Sequence, residues 1–177
     1  KQAYLNAFAC DTISAFGGVL ATNGEVDAEA AEAMNSLFFE ILIAPSFTPE
    51  ALEILKTKKN RILLRRNEVA FGKKMFKTLL NGVLEQDKDL ATETAPQMRT
   101  VTEKAPSEAE LKALEFALKV CKHTKSNTIV LAKDGQLIAS GVGQTSRVDA
   151  LKQAIEKANE FGFDLTGSVM ASDAFFP

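Results

Sequence analysis

The residues best suited to chemistry lie in one glycine-punctuated stretch in the last third of the chain. Asn127 carries an amide just before an apolar run, and Gly141 and Gly143 interrupt the loop that leads to Ser146 and Arg147. Glycines let a backbone pass close to a bound group, and a helix starting near Ser146 offers unpaired N–H donors and the positive end of its dipole. Arg147 adds a planar guanidinium. The pattern predicts a seat for a phosphate or carboxylate, and an ordinary strand-to-helix connection is the alternative.

Two short strands and a helix must position this loop. The dipeptide Asp134-Gly135 stands between apolar runs at 128–132 and 137–139. Both central residues of a type I′ turn need positive φ, so this dipeptide predicts a β-hairpin. The helix that follows is expected over 146–159.

Further elements precede and follow this unit. Ser107 and Glu110 have capping-box spacing at the start of a helix, and a closing strand is predicted over 168–174. A similar order of strand, turn, helix and strand occurs near the start of the chain. There we predict strands at 19–22, 38–44 and 61–65, and helices at 26–37 and after the Thr48-Pro49 cap. Such alternation predicts an α/β fold with largely parallel pairing, and the repeated order predicts a duplicated fold.

Between the two regions the pattern loosens. The run 79–84 is predicted as one strand with a bulge at Gly82, and 87–94 is charged and expected to be exposed. We therefore predict a first α/β lobe at 1–66, incomplete at its N-terminus, a connector at 67–104, and a second α/β lobe at 105–177, truncated at its C-terminus.

Composition excludes several classes of protein. Lys and Arg total 21 against 23 Asp and Glu, so no basic face is available for a nucleic-acid partner. No apolar run reaches membrane-spanning length and no signal-peptide layout is present, so a cytoplasmic protein without membrane association is expected. Cys10 and Cys121 are far apart and lie in apolar surroundings, which predicts reduced core residues and no zinc cluster.

Familiar catalytic motifs are absent from the sequence. It contains no zinc-deaminase signature, no phosphate-binding P-loop and no nucleophile elbow. Gly141-Val142-Gly143 begins like a dinucleotide fingerprint, but Ser146 replaces the third glycine. The single histidine, His123, follows an amphipathic helix and is expected to be structural or exposed. Metal catalysis and nicotinamide binding are both disfavoured.

The remaining candidates are polar and aromatic groups at predicted strand ends, where α/β folds place ligands. The adjacent Phe175 and Phe176 fit a core, and they equally fit a flat slot for a heteroaromatic ring. The full set comprises Phe16, Gly17, Glu40, Ser126, Asn127, Ser146, Arg147, Asp173, Phe175 and Phe176.

Three blocks of these residues carry a family resemblance: DTISAFGGVLATN, KSNTIVLAKDGQLIASGVGQTSR and SVMASDAFFP. In this order they closely resemble the transformylase domain of the bifunctional purine-synthesis enzymes that combine AICAR transformylase with IMP cyclohydrolase. The resemblance implies two cytidine-deaminase-like three-layer α/β lobes without zinc, and a homodimer with its active site at the subunit interface. It implies formyl transfer from 10-formyltetrahydrofolate to the exocyclic amine of AICAR.

The resemblance also implies roles for individual residues. Asn127 is the catalytic residue that holds the amine and formyl groups in line. Phe16, Gly17, Glu40, Asn127 and Phe175 bind the nucleotide, with Glu40 on the ribose hydroxyls. Ile13, Phe16, Ser146, Arg147, Val148 and Pro177 line the folate pocket. Thr124, Ser126, Thr128 and Asp173 lie near a structural potassium ion.

One departure from the family concerns proton handling. The Lys-His pair of the family belongs to a motif that precedes this chain, so Lys122-His123 does not inherit that role. A phosphate-holding arginine is expected beyond the chain as well. We therefore expect the 177 residues to be inactive alone. The alternative function is a non-catalytic module that binds a phosphorylated metabolite or mediates dimerisation.

Overall fold

The computed structural model describes residues 1–174 and arranges them around three separate sheets. The helices are α1 (Gln2–Ala9), α2 (Ala28–Asn35), α3 (Pro49–Leu55), α4 (Glu108–Lys122) and α5 (Arg147–Glu160), and one 3-10 turn spans Ala95–Gln97. The strands are β1 (Gly18–Ala21), β2 (Phe39–Ala44), β3 (Ile62–Arg65), β4 (Lys74–Leu79), β5 (Gly82–Asp87), β6 (Ile129–Lys133), β7 (Gln136–Gly141) and β8 (Val169–Ser172).

The first sheet is parallel, with strand order β1-β2-β3. The helix α3 begins at the predicted cap, where Thr48 accepts the Ala51 N–H at 3.2 Å. The helix α2 spans Ala28–Asn35 and is shorter than the predicted 26–37, because Asp27 caps it by accepting the Ala30 N–H at 2.8 Å. Both helices pack on one face of the sheet, around the fully buried Leu42. Successive crossovers of the same hand between neighbouring strands place their helices on the same side, which accounts for this arrangement.

The opposite face of the first sheet carries apolar side chains that the described residues leave open. Val19, Ile41 and Ile62 are register partners in one row across the three strands, and Ile43 pairs with Leu64 in the next row. Val19 is 61% exposed, Ile62 50% and Leu64 44%. Parallel sheets are normally covered on both faces, so a face with this much exposed apolar surface is unusual for a parallel sheet.

The other three-stranded sheet, which we call the second sheet, is antiparallel with strand order β7-β6-β8. Helices cover both of its faces. On β6, Ile129 and Leu131 face the alanines of α5, whereas Val130 and Ala132 face α4. A strand covered on both faces reads as a continuous apolar run, as β6 does. This half of the chain therefore has three layers.

The α/β class is confirmed, and the prediction of largely parallel pairing is correct for only one of the two main sheets. The Asp134-Gly135 turn, with φ of 51° and 73°, forms as predicted and makes β6 and β7 antiparallel neighbours. The repeated order of elements does not extend to strand positions, since β1 and β2 are neighbours but β7 and β8 lie on either side of β6. Consecutive strands are neighbours in most pairs of this chain, but the order of elements did not indicate that β8 would pair with β6 and not with β7.

The prediction of one bulged strand at 79–84 is wrong. The chain turns at Leu80, where φ is +48°, and Leu79 pairs with Gly82 across the two-residue loop of an antiparallel β4-β5 hairpin. An apolar residue such as leucine seldom takes positive φ, so the run of apolar letters concealed the turn. Every residue of the hairpin strands is exposed, including Phe76 at 65%.

The N-terminal segment joins the two halves of the chain. The Gln136 Nε2 donates to the Asn6 carbonyl at 3.0 Å, and the Lys157 Nζ lies 2.7 Å from Asp11 Oδ2. Hydrogen bonding from Lys157 lowers the pKa of Asp11 to about 2. Among residues 1–174 no helix has both the length and the apolar character needed to cross a membrane.

Candidate functional site

The edge of the second sheet gathers the polar residues of the glycine-punctuated stretch. Because β6 runs opposite to β7 and β8, its start meets their carboxyl ends, and Ile129 pairs with both Gly141 and Ser172. Asn127 and Asp173 therefore lie at the same edge as the loop that follows β7. This loop is tied to the start of β6, since Asn127 and Gln144 exchange two backbone hydrogen bonds of 3.2 Å.

The Asn127 side chain is held by hydrogen bonds on both ends of its amide. Its Nδ2 donates to the carbonyls of Gln144 at 3.0 Å and Thr145 at 3.1 Å. Its Oδ1 accepts from the Arg147 Nη2 at 3.2 Å. The amide thus joins the glycine loop to the first residue of α5.

Arg147 points toward β8 and the start of β6. Its Nε donates to the Ser172 Oγ at 2.8 Å, and its Nη2 lies 3.4 Å from the Asp173 Oδ1. Both charged side chains are largely buried, at 16% and 15% exposure. Hydrogen bonding from Ser126 is the largest cause that lowers the pKa of Asp173, followed by the Thr128 N–H and the charge of Arg147. Asp173 therefore stays ionised and compensates the guanidinium charge.

A cavity of about 310 Å³ opens beside this network. It brings together the predicted catalytic residue and three of the residues predicted for the folate pocket. Its lining consists of Asn127, Ile129, Thr145, Ser146, Arg147, Val148 and Leu151.

The start of α5 is less open to an anion than the sequence suggests. Ser146 caps the helix by accepting the Asp149 N–H at 3.1 Å, and its hydroxyl donates to Asp149 Oδ2 at 2.6 Å. A carboxylate in the first turn already occupies the favourable end of the helix dipole. The guanidinium of Arg147 is the other positive group at this helix start, and Asp173 already compensates its charge.

Gly141 and Gly143 are glycines for different physical reasons. The expectation that both let the backbone pass close to a ligand is wrong for Gly141. A Cβ on Gly141 would lie 1.8 Å from the Ala150 carbonyl oxygen, so this glycine is required where α5 packs on β7. Gly143 has φ of +68°. Among the described residues, the only atom within 4 Å of a Cβ added there would be a lysine side-chain carbon, at 3.8 Å. Gly143 is therefore the one whose backbone freedom shapes the loop.

The residues predicted to bind the nucleotide in the first third of the chain lie elsewhere. The Phe16 ring packs against the Phe38 ring at a tilt of 39°, with ring centroids 4.9 Å apart, and the Gly17 N–H donates to the Phe38 carbonyl at 2.8 Å. Glu40 lies beside them in a cavity of about 590 Å³, and Ile13 is 68% exposed. These residues stand at the amino ends of β1 and β2, not at the carboxyl ends where open parallel sheets bind ligands.

The two groups of predicted residues are not joined within residues 1–174. The cavity that holds Glu40 and the cavity that holds Asn127 share no lining residue. The Asp11–Lys157 contact holds the 11–17 loop against α5. Lys157 lies ten residues after Arg147, which is about 15 Å along the helix axis. Phe175 and Pro177 lie outside the described residues.

Three of the residues predicted near potassium line one further cavity. Thr124, Ser126 and Asp173 border a volume of about 330 Å³. Thr128 is buried, and its Oγ1 donates to the Gly141 carbonyl at 2.9 Å while its N–H donates to Asp173 Oδ1 at 3.1 Å. Within the described part of the chain no three His, Cys, Asp or Glu side chains gather in a metal-binding group.

Two residues that sequence reasoning passed over have central places. Ser172 accepts the Arg147 Nε, which its position beside Asp173 could have indicated. The Arg61 guanidinium lies 3.9 Å from the centroid of the Phe39 ring, and its Nε is buried without a hydrogen-bond partner among the described residues. Burial lowers the pKa of the Arg61 guanidinium. In agreement with expectation, His123 is exposed at the end of α4 and Cys121 is buried, whereas Cys10, also expected in the core, is only partly buried.

Comparison with known proteins adds an independent finding. The family model described as the AICARFT/IMPCHase bienzyme matches residues 1–157. The chain is similar to the bifunctional purine biosynthesis protein PurH of Bacteroides thetaiotaomicron, with 63% identity over 176 residues that cover 99% of this chain and 35% of that protein. Proteins of the same name from Leuconostoc citreum and Aquifex aeolicus are 49% and 48% identical over 100% of this chain, and 35% and 34% of their own lengths are covered.

The chain thus spans about a third of the length of these relatives. The family match includes the first two of the three sequence blocks, and the alignments with these relatives cover 99–100% of the chain. The chain belongs to the AICARFT/IMPCHase bienzyme family.

Proposed function

We propose that this chain forms part of an AICAR transformylase, which transfers a formyl group from 10-formyltetrahydrofolate to the amine of AICAR in purine synthesis. The observation that carries the proposal is the cavity at the start of α5, where Asn127, Ser146, Arg147 and Val148 lie together. In the reaction the bond from the formyl carbon to the folate nitrogen breaks and a bond to the AICAR amine forms. The amine loses a proton and the folate nitrogen gains one.

The cavity suits one half of this reaction. Val148, 59% exposed, and the half-buried Leu151 give an apolar wall for a flat ring. Asn127 supplies a fixed polar group at its rim, and such positioning lowers a barrier by removing orientational freedom. Arg147 and Ser146 complete the folate pocket in this proposal, with Ile13 and Pro177.

The nucleotide half of the proposal rests on the first sheet. The exposed Phe16 ring offers a stacking surface, Gly17 brings the backbone close, and Glu40 supplies a carboxylate for ribose hydroxyls. Phe175 is proposed to lie against the imidazole. Because these residues and Asn127 occupy different cavities in one chain, the proposal places the complete site between two copies of the chain. The uncovered apolar face of the first sheet is compatible with such a homodimer.

A potassium ion fits the chemistry of the third cavity. Asp173 offers a carboxylate, and Thr124 and Ser126 offer hydroxyl oxygens, an all-oxygen set of the kind that hard cations prefer. Asp173 and Ser126 would hold the ion next to Arg147, where it would act structurally. The 177 residues alone are proposed to lack turnover, because the resemblance assigns proton handling to a Lys-His motif other than Lys122-His123.

A binding titration tests the proposal. The longest natural polypeptide that carries this sequence is titrated with AICAR and with a non-reactive folate analogue, alone and together. We expect each ligand to tighten the binding of the other, and Asn127→Ala to weaken formyl transfer about a hundredfold. Asn159→Ala, an exposed asparagine at the far end of α5, is the matched control. Turnover unaffected by Asn127→Ala would contradict the catalytic role.

A dimerisation module without catalysis is the second candidate, favoured by the exposed β4-β5 hairpin and by the open face of the first sheet. This candidate predicts a stable dimer that binds at most one of the two ligands and is indifferent to Asn127→Ala. The same titration, combined with sedimentation, separates the two functions.

A further inference from the structure

We infer that Arg61 is a positioning residue for the nucleotide half of the site, and that it acts through the segment 35–39, which connects α2 to β2. The inference deepens the proposed function and rests on it for the identity of the ligand. It assigns to Arg61 a selective effect on the binding of AICAR, because the residues proposed to bind the nucleotide are attached to this segment.

The first step is the set of contacts that Arg61 makes. Its Nη1 donates to the Asn35 Oδ1 at 2.9 Å, and its Nη2 donates to the Leu37 carbonyl at 3.5 Å. Its guanidinium carbon lies 3.9 Å from the centroid of the Phe39 ring, which is a cation–π contact. A further bond from Nη1 to the Leu55 carbonyl, at 3.2 Å, attaches the guanidinium to the end of α3. Arg61 thus contacts every second residue of the segment and ties it to a second helix.

The second step concerns the residues that alternate with these anchors. Successive side chains of an extended segment point to opposite sides, so Phe38 and Glu40 lie on the side away from the contacts with Arg61. Phe38 supports the nucleotide-binding loop, because its ring packs against Phe16 and its carbonyl accepts the Gly17 N–H at 2.8 Å. Arg61 therefore holds the backbone that presents the aromatic ring, the glycine and the carboxylate to the nucleotide.

The third step separates positioning from stability. The charge of Arg61 is opposed by amide and carbonyl oxygens at the ends of α2 and α3, and its Nε is buried without a hydrogen-bond partner among the described residues. A buried cation and an unpaired donor both cost free energy, and an apolar side chain of similar length can replace such a group with little change in stability. Arg61→Met should therefore remove the contacts with the segment and leave the chain folded.

The segment can be observed in the 177-residue chain by amide hydrogen exchange. The Gly17 N–H reports on the amino ends of β1 and β2, and the Thr22 N–H, which donates to the Ile43 carbonyl at 2.9 Å, reports on their carboxyl ends. Arg61→Met should speed exchange at Gly17 about fivefold and change exchange at Thr22 by less than about twofold. Arg66→Met removes an exposed arginine just after β3 and is the matched control, which should change neither.

Two results of this experiment would overturn the inference: no response at Gly17, or an equal response at Gly17 and Thr22, as an arginine that only stabilises the fold would give. Arg61→Lys provides a second, milder variant, because lysine keeps the charge and lacks the planar fork that holds two partners together. It should speed exchange at Gly17 in the same direction even if Arg61→Met proves poorly folded.

The effect on the ligand is measured in the longest natural polypeptide that carries this sequence. Arg61→Met should raise KM for AICAR about fivefold to tenfold and leave kcat and the KM for the folate co-substrate within about twofold, because it weakens the binding of one ligand and not the chemical step. Arg66→Met should leave all three values unchanged. A KM for AICAR that stays the same, or an equal rise in both KM values, would overturn the selective role of Arg61.

A direct contact between Arg61 and the phosphate is the rival explanation, since Arg61 lines the same cavity as Glu40. AICAR and its nucleoside, which lacks the phosphate, separate the two explanations. Positioning predicts that Arg61→Met weakens the binding of both by the same factor, whereas a loss confined to the nucleotide would overturn the positioning role. If neither compound binds the unsubstituted polypeptide, the proposed function fails, and exchange at Gly17 still decides whether Arg61 holds the segment.

Discussion

Gly141→Ala should strongly destabilise the chain because the added methyl group has no space. Its Cβ would lie 1.8 Å from the Ala150 carbonyl oxygen and 2.6 Å from the Ala150 carbonyl carbon. These are backbone atoms of α5, so no side-chain rotation can relieve the overlap. Since ordinary contacts between such atoms are about 3.5 Å, the helix must retreat by about 1.5 Å.

The retreat affects a whole interface. Ala150, Ala154 and Ala158 are fully buried against Ile129 and Ile138, and a radial gap of about 1 Å already loses up to half of each dispersion contact. Overpacking by one methyl group costs about 1–3 kcal/mol, and a backbone clash places this variant at about 3 kcal/mol. For a chain of this size, that lowers Tm by about 6–12 °C.

Thermal unfolding followed by circular dichroism measures the effect, and two other glycines provide graded controls. Gly24 has nothing within 4 Å of an added Cβ, so Gly24→Ala should change stability by less than about 0.5 kcal/mol. Gly143→Ala should cost about 1–2 kcal/mol, because φ of +68° is unfavourable for alanine while space is available. The packing argument is refuted if Gly141→Ala unfolds at the same temperature as Gly24→Ala.

Three further predictions concern other parts of the chain. Lys157→Met should lower the free energy of unfolding by about 1 kcal/mol at pH 7, after allowance for solvent screening. Because the pKa of Asp11 is lowered to about 2 in the folded chain, this contribution is present above the unfolded pKa of about 3.9 and disappears as the pH falls toward 2. Urea unfolding should therefore show a difference between the variant and the unsubstituted chain at pH 7 and none near pH 2. Ser107→Ala removes the half of the α4 capping box in which the Ser107 hydroxyl accepts the Glu110 N–H, and it leaves the Ser107 N–H that donates to the Glu110 carboxylate. It should lower the free energy of unfolding by about 1 kcal/mol, with exposed Ser36→Ala as the reference; equal stabilities would contradict the capping role. Leu80→Gly relieves a positive φ of 48° and should slow amide exchange across β4 and β5 about fivefold, whereas faster exchange would show that the turn does not adopt this conformation.

Local chemistry made much of the fold predictable. The caps at Thr48 and Ser107 act between residues three apart, and each one begins a helix where the pattern placed it. Asp27 and Ser146 cap α2 and α5 in the same way, within two residues of the predicted helix starts. The Asp134-Gly135 turn depends on φ alone and formed as predicted. The Leu79–Leu84 prediction was wrong for the same kind of reason, because the turn uses a residue type that rarely accepts positive φ.

The candidate site was predictable to a smaller extent. Asn127, Ser146, Arg147 and Val148 were found from residue type and from the family blocks, and they line one cavity. Their partners were not found, because Ser172 reaches Arg147 through sheet register, 25 positions along the chain. The sequence also did not predict that Phe16 and Glu40 lie away from this cavity, since a position at a strand end does not give the distance between residues of two different sheets.

The α/β class, the approximate starts of the helices, the hairpin at Asp134-Gly135 and the family could be read from the residues alone, because each of these depends on neighbouring residues or on ordered blocks of them. The antiparallel pairing of the second sheet, the role of Gly141 in helix packing and the contacts of Arg147 with Asn127 and Ser172 became visible only in the folded chain. These outcomes depend on contacts between distant parts of the chain. Such contacts are set by strand order and by the volume between layers, neither of which is written in any short stretch of residues.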